Sequence, residues 1–133
     1  MTVKSLKISM EALLKLAEQE QWKDVNAVLL EGVEDEHFTW ATKTGLYSAD
    51  GDERHLAARI MEQAQDLTGD STNAIVRLDA MTTTEPNYHA KFYAACACAK
   101  NGRGTNAVRQ IIEKGLEEPS VCTVAQKYMT QLA

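Results

Sequence analysis

The chain has 133 residues, 44% hydrophobic and 25% charged, with a formal net charge of −5. That length suits one domain with a real core, spanning residues 1–133, and the composition is that of a globular chain, not a disordered or fibrous one. The acidic balance disfavours nucleic acid, no apolar run approaches the ~18 to 20 residues of a membrane span, and "MTVKSLKISMEALLK" lacks the apolar stretch of a signal peptide, so a cytoplasmic protein is expected.

Helical spacing recurs along almost the whole chain, and sustained alternation is missing, which predicts an all-α fold. The first helix is expected over about 9 to 20, capped by Ser9, with Met10, Leu13, Leu14 and Ala17 on one face. A second, over 22 to 32, presents Val25, Val28 and Leu29 and stops at Gly32. The third, over 35 to 49, presents Phe38, Ala41, Gly45 and Leu46 and breaks at "ADGD". The fourth, over 53 to 67, carries Leu56, Ala57, Ile60, Met61, Ala64 and Leu67 before Gly69. Ser71 or Thr72 can cap a fifth helix through Met81, Asn87 a sixth ending at Gly102, and Thr105 a seventh through Lys114 with Gly115 behind it. Pro119 suits the first turn of an eighth. About eight short helices in roughly four antiparallel hairpins follow, as a small α-solenoid or compact helical array.

One frame is written twice. "TNAIVRLDAMTTTEP" at 72–86 returns at 105–119 as "TNAVRQIIEKGLEEP", 33 residues on. TNA places a capping threonine before a helix and EP closes the loop that starts the next, so the period is one helical hairpin. The small residues of "AACACA" allow neighbouring helices to approach closely.

"KFYAACACAKNGRGTNAVRQIIEKGLEEP" resembles a tetratricopeptide or pentatricopeptide unit through Phe92, Ala95, Gly102, Ala107 and Pro119, with a weaker copy in Trp40, Gly51, Ala57, Met61 and Ala64. "GLEEPSVCTVAQKYMTQL" and "DGDERHLAARIMEQ" are similar to HEAT repeats, and "LLKLAEQEQWKDVNAVLLEG" faintly to ankyrin. What these families share is the stacked helical hairpin, and protein binding is what that resemblance implies. One register conflicts with strict repetition: "VNAVLLEG" resembles "TNAVRQIIEKG", yet these are the second and seventh helices. Either the helix count or the regularity of the array has to give.

No catalytic pattern, metal set or cofactor motif is legible. His37, His55 and His89 are scattered without a paired spacing, and Cys96, Cys98 and Cys122 form no zinc or disulfide framework and read as reduced, mostly buried thiols. "EGVEDEH" and "DGDE" fall at inter-helix turns expected to share one edge, as solvated turns or as an acidic rim for a basic partner. Trp22, Trp40 and Tyr47 are large for turn-proximal positions, where core anchoring is the commoner fate and an exposed ring would anchor a partner. Lys91, Lys100, Arg103, Arg109 and Lys114 make one stretch basic beside Phe92 and Tyr93, where a pentatricopeptide-like protein would stack bases. The candidate binding residues are therefore Trp40, Tyr47, Phe92, Arg103 and Arg109.

The expected function is a non-enzymatic protein–protein interaction module, an adaptor or scaffold holding a peptide or protein surface in a groove between helices. The alternative is a small acidic inhibitor or immunity-type protein that masks a basic site on an enzyme, with an RNA-binding helical repeat well behind. Homo-oligomerisation is left open by the amphipathic end "VCTVAQKYMTQLA".

Overall fold

Local capping chemistry sets where the helices begin. In the computed structural model, which describes residues 9–64 and 72–132, the Ser9 hydroxyl accepts from the Ala12 amide at 3.1 Å and opens α1 (Met10–Glu18). Asn87 and Thr105 do the same for α6 (Tyr88–Lys100) and α7 (Asn106–Gly115), accepting from the Ala90 and Val108 amides at 3.0 and 3.2 Å. Between them lie α2 (Trp22–Glu31), α3 (Asp35–Lys43), a 3-10 turn (Gly45–Tyr47), α4 (Gly51–Gln63) and α5 (Thr72–Thr84), and α8 (Cys122–Leu132) ends the array. All eight α-helices expected from the sequence are present, with no strand among the described residues. Leu67, Gly69 and the cap expected at Ser71 lie outside the described residues.

Several boundaries moved for physical reasons. The third helix stops at Lys43 and not near 49, because Gly45 sits under the Trp40 ring: a Cβ there would lie 2.5 Å from Trp40 Cζ3 and 2.7 Å from Ala57 Cβ. α5 runs on to Thr84, its last three threonines bonding their hydroxyls back to the carbonyls of Asp79 and Ala80. Pro119 is in a turn ahead of α8, outside its first turn. Gly115 is not a stop signal: it is the last residue of α7, pressed on Phe92.

Helix count therefore is not what breaks the repeat. Gly32 ends α2 at φ 143°, whereas Gly115 is a point of close approach inside α7, so "VNAVLLEG" and "TNAVRQIIEKG" share a pattern without sharing a structural role. The two TNA frames correspond better, since α5 and α7 pack against each other. Even so, Glu85 of the first frame is buried and Glu118 of the second is exposed.

Each helix touches its successor or the helix after that. α1 meets α2 and α3 and, three along, packs on α4 as well; α2 meets α4, α3 meets α4 and α5, and α6 packs on α4, α5, α7 and α8, most extensively on α4. Buried residues from all eight helices form one apolar cluster. α6 is apolar nearly all round, with Ala90 and every residue from Phe92 to Cys98 buried, as an interior helix requires.

Two helices end in the same way with different residues. After α6 the Arg103 amide donates to the Cys98 carbonyl and the Gly102 amide to Ala99, with Gly102 at φ 82°. After α1 the Gln21 amide donates to Leu16 and the Glu20 amide to Ala17, but the left-handed position is held by Glu20 at φ 58°.

Two changes test these assignments by urea denaturation. Gly115→Ala should destabilise by about 1–3 kcal/mol despite alanine's better helix propensity, because its Cβ would run into Phe92 Cε1; an unchanged midpoint would contradict the close approach. Glu20→Gly should stabilise by about 0.5–1 kcal/mol, since glycine adopts that φ without a Cβ penalty.

Candidate functional site

The beginnings of α2, α4, α6 and α8 surround an open cavity of about 470 Å³. α2 supplies Trp22, Lys23 and Asn26; α4 supplies Asp52, His55 and Arg59, which at spacings of three and four share one face. α6 contributes His89 and Tyr93 behind its cap Asn87, α8 contributes Val124 behind Ser120, and the strained Glu20 stands at the rim.

Inside is a stack of rings. The His55 imidazole lies 3.8 Å from the Trp22 ring centroid, 5.2 Å from His89 and 5.6 Å from Tyr93, all within 30° of parallel. The Arg59 guanidinium lies 4.4 Å from the Tyr93 centroid and 5.4 Å from that of Trp22, close enough for cation–π attraction. Arg59 Nε donates to His55 Nε2 at 3.1 Å and Nη2 donates to the Tyr93 hydroxyl at 2.9 Å. Because Nε2 accepts, the neutral ring carries its proton on Nδ1.

Burial sets the protonation here. His55 is 3% exposed, and desolvation, reinforced by the Arg59 and His89 charges, pushes its pKa down to about 2. His89, which shares a hydrogen bond of 3.2 Å with the Ser120 hydroxyl, is also lowered, by burial and then by Arg59, against an opposing pull from Glu118. Burial raises Tyr93 and keeps it a neutral phenol.

A smaller cavity of about 220 Å³ adjoins through Asp52 and is acidic: Glu11 and Glu18 of α1 meet Asp50, Asp52 and Glu53, with Lys15 the one cation in its lining. Burial and the charges of Asp50 and Glu20 raise the Asp52 pKa. The acidic edge expected from sequence is thereby corrected. "EGVEDEH" and "DGDE" flank α3, one at each end, and no carboxylate of the former lines this cavity; α1 supplies the second half instead.

The residues singled out in the sequence are not gathered into one site. Trp40 is half-buried over Gly45, and Tyr47 is 53% exposed beneath the Arg77 guanidinium at 5.4 Å. Phe92 is corrected outright: it is 0% exposed, wedged against Gly115, and can present nothing to a partner in this fold. Arg103 pairs with Asp79 at 3.5 Å, and Arg109 Nε reaches the Gly104 carbonyl at 3.3 Å. Lys100 donates to the carbonyls of Glu62 and Ala64 at the end of α4, so three residues of the basic stretch serve structural contacts, while Lys91 and Lys114 line a separate cavity of about 340 Å³ beside Tyr88. Cys96 and Cys98 are buried thiols, Cys98 pushed up to about 12 by burial, and Cys122 is half-buried. Among the described residues no group of three or more His, Cys, Asp or Glu side chains is placed to hold a metal ion.

What sequence reasoning missed is the pairing of His55 with His89 across α4 and α6. The available signal was local: His55 with Arg59 and His89 with Tyr93 are each four apart, one polar and aromatic stripe per helix. Set against known protein families, curated proteins and solved structures, the chain matches none.

The buried neutral His55 has a thermodynamic consequence. Its folded pKa of about 2 lies below the ordinary 6.5, so on acidification the unfolded chain takes up a proton that the folded chain refuses. Its contribution is whole above the unfolded pKa and lost progressively as pH falls toward the folded one. Between about pH 7.5 and 5.5, wild type should lose about 1.4 kcal/mol more unfolding free energy than His55→Phe. Parallel pH profiles for the two proteins would show that His55 takes up its proton in the fold as readily as in the unfolded chain, contradicting the lowered pKa.

Proposed function

We propose that this protein is a non-enzymatic binding module of small α-solenoid type, which holds a protein or peptide in the groove across the starts of α2, α4, α6 and α8. The observation that carries the reading is that four alternate helices, whose contacts run from α2 to α4, α4 to α6 and α6 to α8, all contribute side chains to one open cavity. A stack of hairpins offers a partner this kind of surface, a row of parallel helices read side by side. The lining combines aromatic faces with exposed hydrogen-bonding groups, Lys23 and Asn26 among them, which suits an adaptable polar interface with aromatic anchors. Glu20 adds weight, because a non-glycine residue kept at positive φ on the groove rim forgoes stability where a function could use its side chain. The buried thiols fit a reducing, cytoplasmic setting.

The second reading, an inhibitor that masks a basic site, is favoured by one feature: five carboxylates around the cavity between α1 and α4, beside the groove and sharing Asp52 with it. The RNA-binding reading loses Phe92, sealed in the core, and Lys100, bound to α4; Lys91 and Lys114 do line one cavity with the exposed Tyr88, but in a chain of net charge −5.

Capture of partners from native lysate after nuclease treatment, repeated with surface variants, separates the readings. Lys23→Ala with Asn26→Ala should weaken capture of the wild-type partner at least ~10-fold, while Arg109→Ala, away from the groove, leaves it unchanged. Equal capture by all three would remove the groove as the binding surface. Under the inhibitor reading, Asp50→Asn with Glu53→Gln should give the larger loss, and affinity for a single enzyme should fall steeply with salt.

A further inference from the structure

Charge in the groove is unbalanced at Arg59. Its guanidinium is fixed at two points, by His55 Nε2 and the Tyr93 hydroxyl, and flanked by the rings of Trp22 and Tyr93. Both acceptors are neutral, and no carboxylate of the described residues lies within 4.0 Å of it. Of its five N–H donors only two have acceptors among those residues. The carboxylate of Glu62, three residues on, acts on Arg59 through its charge alone: its oxygens accept from the Tyr128 hydroxyl at 2.6 Å and the Gln63 amide at 2.9 Å, and one lies 3.8 Å from Lys127 Nζ. Asp52 of the same cavity is seven residues earlier on α4, about 10 Å along its axis.

A partly desolvated cation that no carboxylate contacts directly is costly, and an incoming anion relieves that cost. The planar fork is already oriented, so little side-chain entropy is lost when it binds. We infer that the Arg59 end of the groove is an anion subsite for a carboxylate carried by the docking partner, an Asp or Glu side chain of the bound segment. A carboxylate fits better than a phosphate: Arg59 is the one cation held in a fixed orientation, Lys23 of the same lining being exposed, and a dianion would be repelled twice as strongly by Asp52, Glu20 and a chain of net charge −5. The inference rests on the groove being the binding surface.

The test is an NMR titration of the full chain, following the Arg59 Nε–Hε and Trp22 indole resonances while acetate replaces chloride at constant ionic strength. Saturable shifts of both in the millimolar range are expected, absent in Arg59→Gln and at least ~10-fold weaker in Arg59→Lys. Wild type alone decides the matter if Arg59→Gln fails to fold: unmoved resonances overturn the subsite, and inorganic phosphate binding more tightly than acetate overturns the carboxylate assignment. Once a partner is captured, replacing its acidic residues by amides one at a time should reproduce the Arg59→Gln loss at one position. No such position, with capture still lost in the Lys23→Ala/Asn26→Ala variant, overturns the partner-borne carboxylate and leaves the groove standing. Acetate shifts with capture undiminished in that variant remove the groove and the partner-borne carboxylate together.

Discussion

The close packing of α4 on α6 is the constraint on which the rest of the array depends. Both helices are lined with small side chains where they meet their neighbours, among them Ala57 and Ala58 on α4 and Ala94, Ala95 and Ala97 on α6, all fully buried. Small residues bring helix axes close, and a helix apolar on every side can only be satisfied by neighbours on every side. α5, α7 and α8 are those neighbours, and the wedge of Phe92 against Gly115 shows how little room is left on the α7 side.

Polar links then tie α4 to elements far from it in sequence. Arg54 grips the buried Glu85 with two bonds of 2.7 and 2.9 Å, and the second carboxylate oxygen also accepts from the Asn87 amide, so one carboxylate holds the entry to α6 against the start of α4. At the other end of α4, Lys100 satisfies carbonyls that the helix leaves open, while Tyr128 of α8 bonds the buried Glu62. Such groups are costly to bury unless every partner is in place, so they fix α4 relative to α6 and α8 in one arrangement, where apolar packing alone would tolerate sliding.

The groove is a product of that arrangement. His55, Arg59, His89 and Tyr93 meet because the α4 and α6 axes run side by side, and Trp22 closes the stack from α2. Its acidic and cationic groups are segregated along α4, with Asp52 at the first turn, where a carboxylate favours the helix dipole, and Arg59 two turns further in. An asymmetric lining of this sort would favour one direction in any segment laid along the groove.

The sequence by itself determined the helices. Caps at Ser9, Asn87 and Thr105, the stops at Gly32 and Gly102, and apolar spacing of three and four are local properties, legible because each depends on residues within one or two turns. It also marked "AACACA" as a place where neighbouring helices can approach closely, since its side chains are all small, and these residues are buried in α6. Only the tertiary structure decided which residues line the groove and which are sealed in the core. Phe92 stands in a basic, aromatic stretch yet is sealed in the core, Gly115 has the position of a stop and serves as a contact, and three histidines with no common spacing include two that share a stack. Side chains tens of residues apart become neighbours through the crossing of helices, and that crossing is set by packing volume and buried polar bonds summed over the whole chain, which no local window contains.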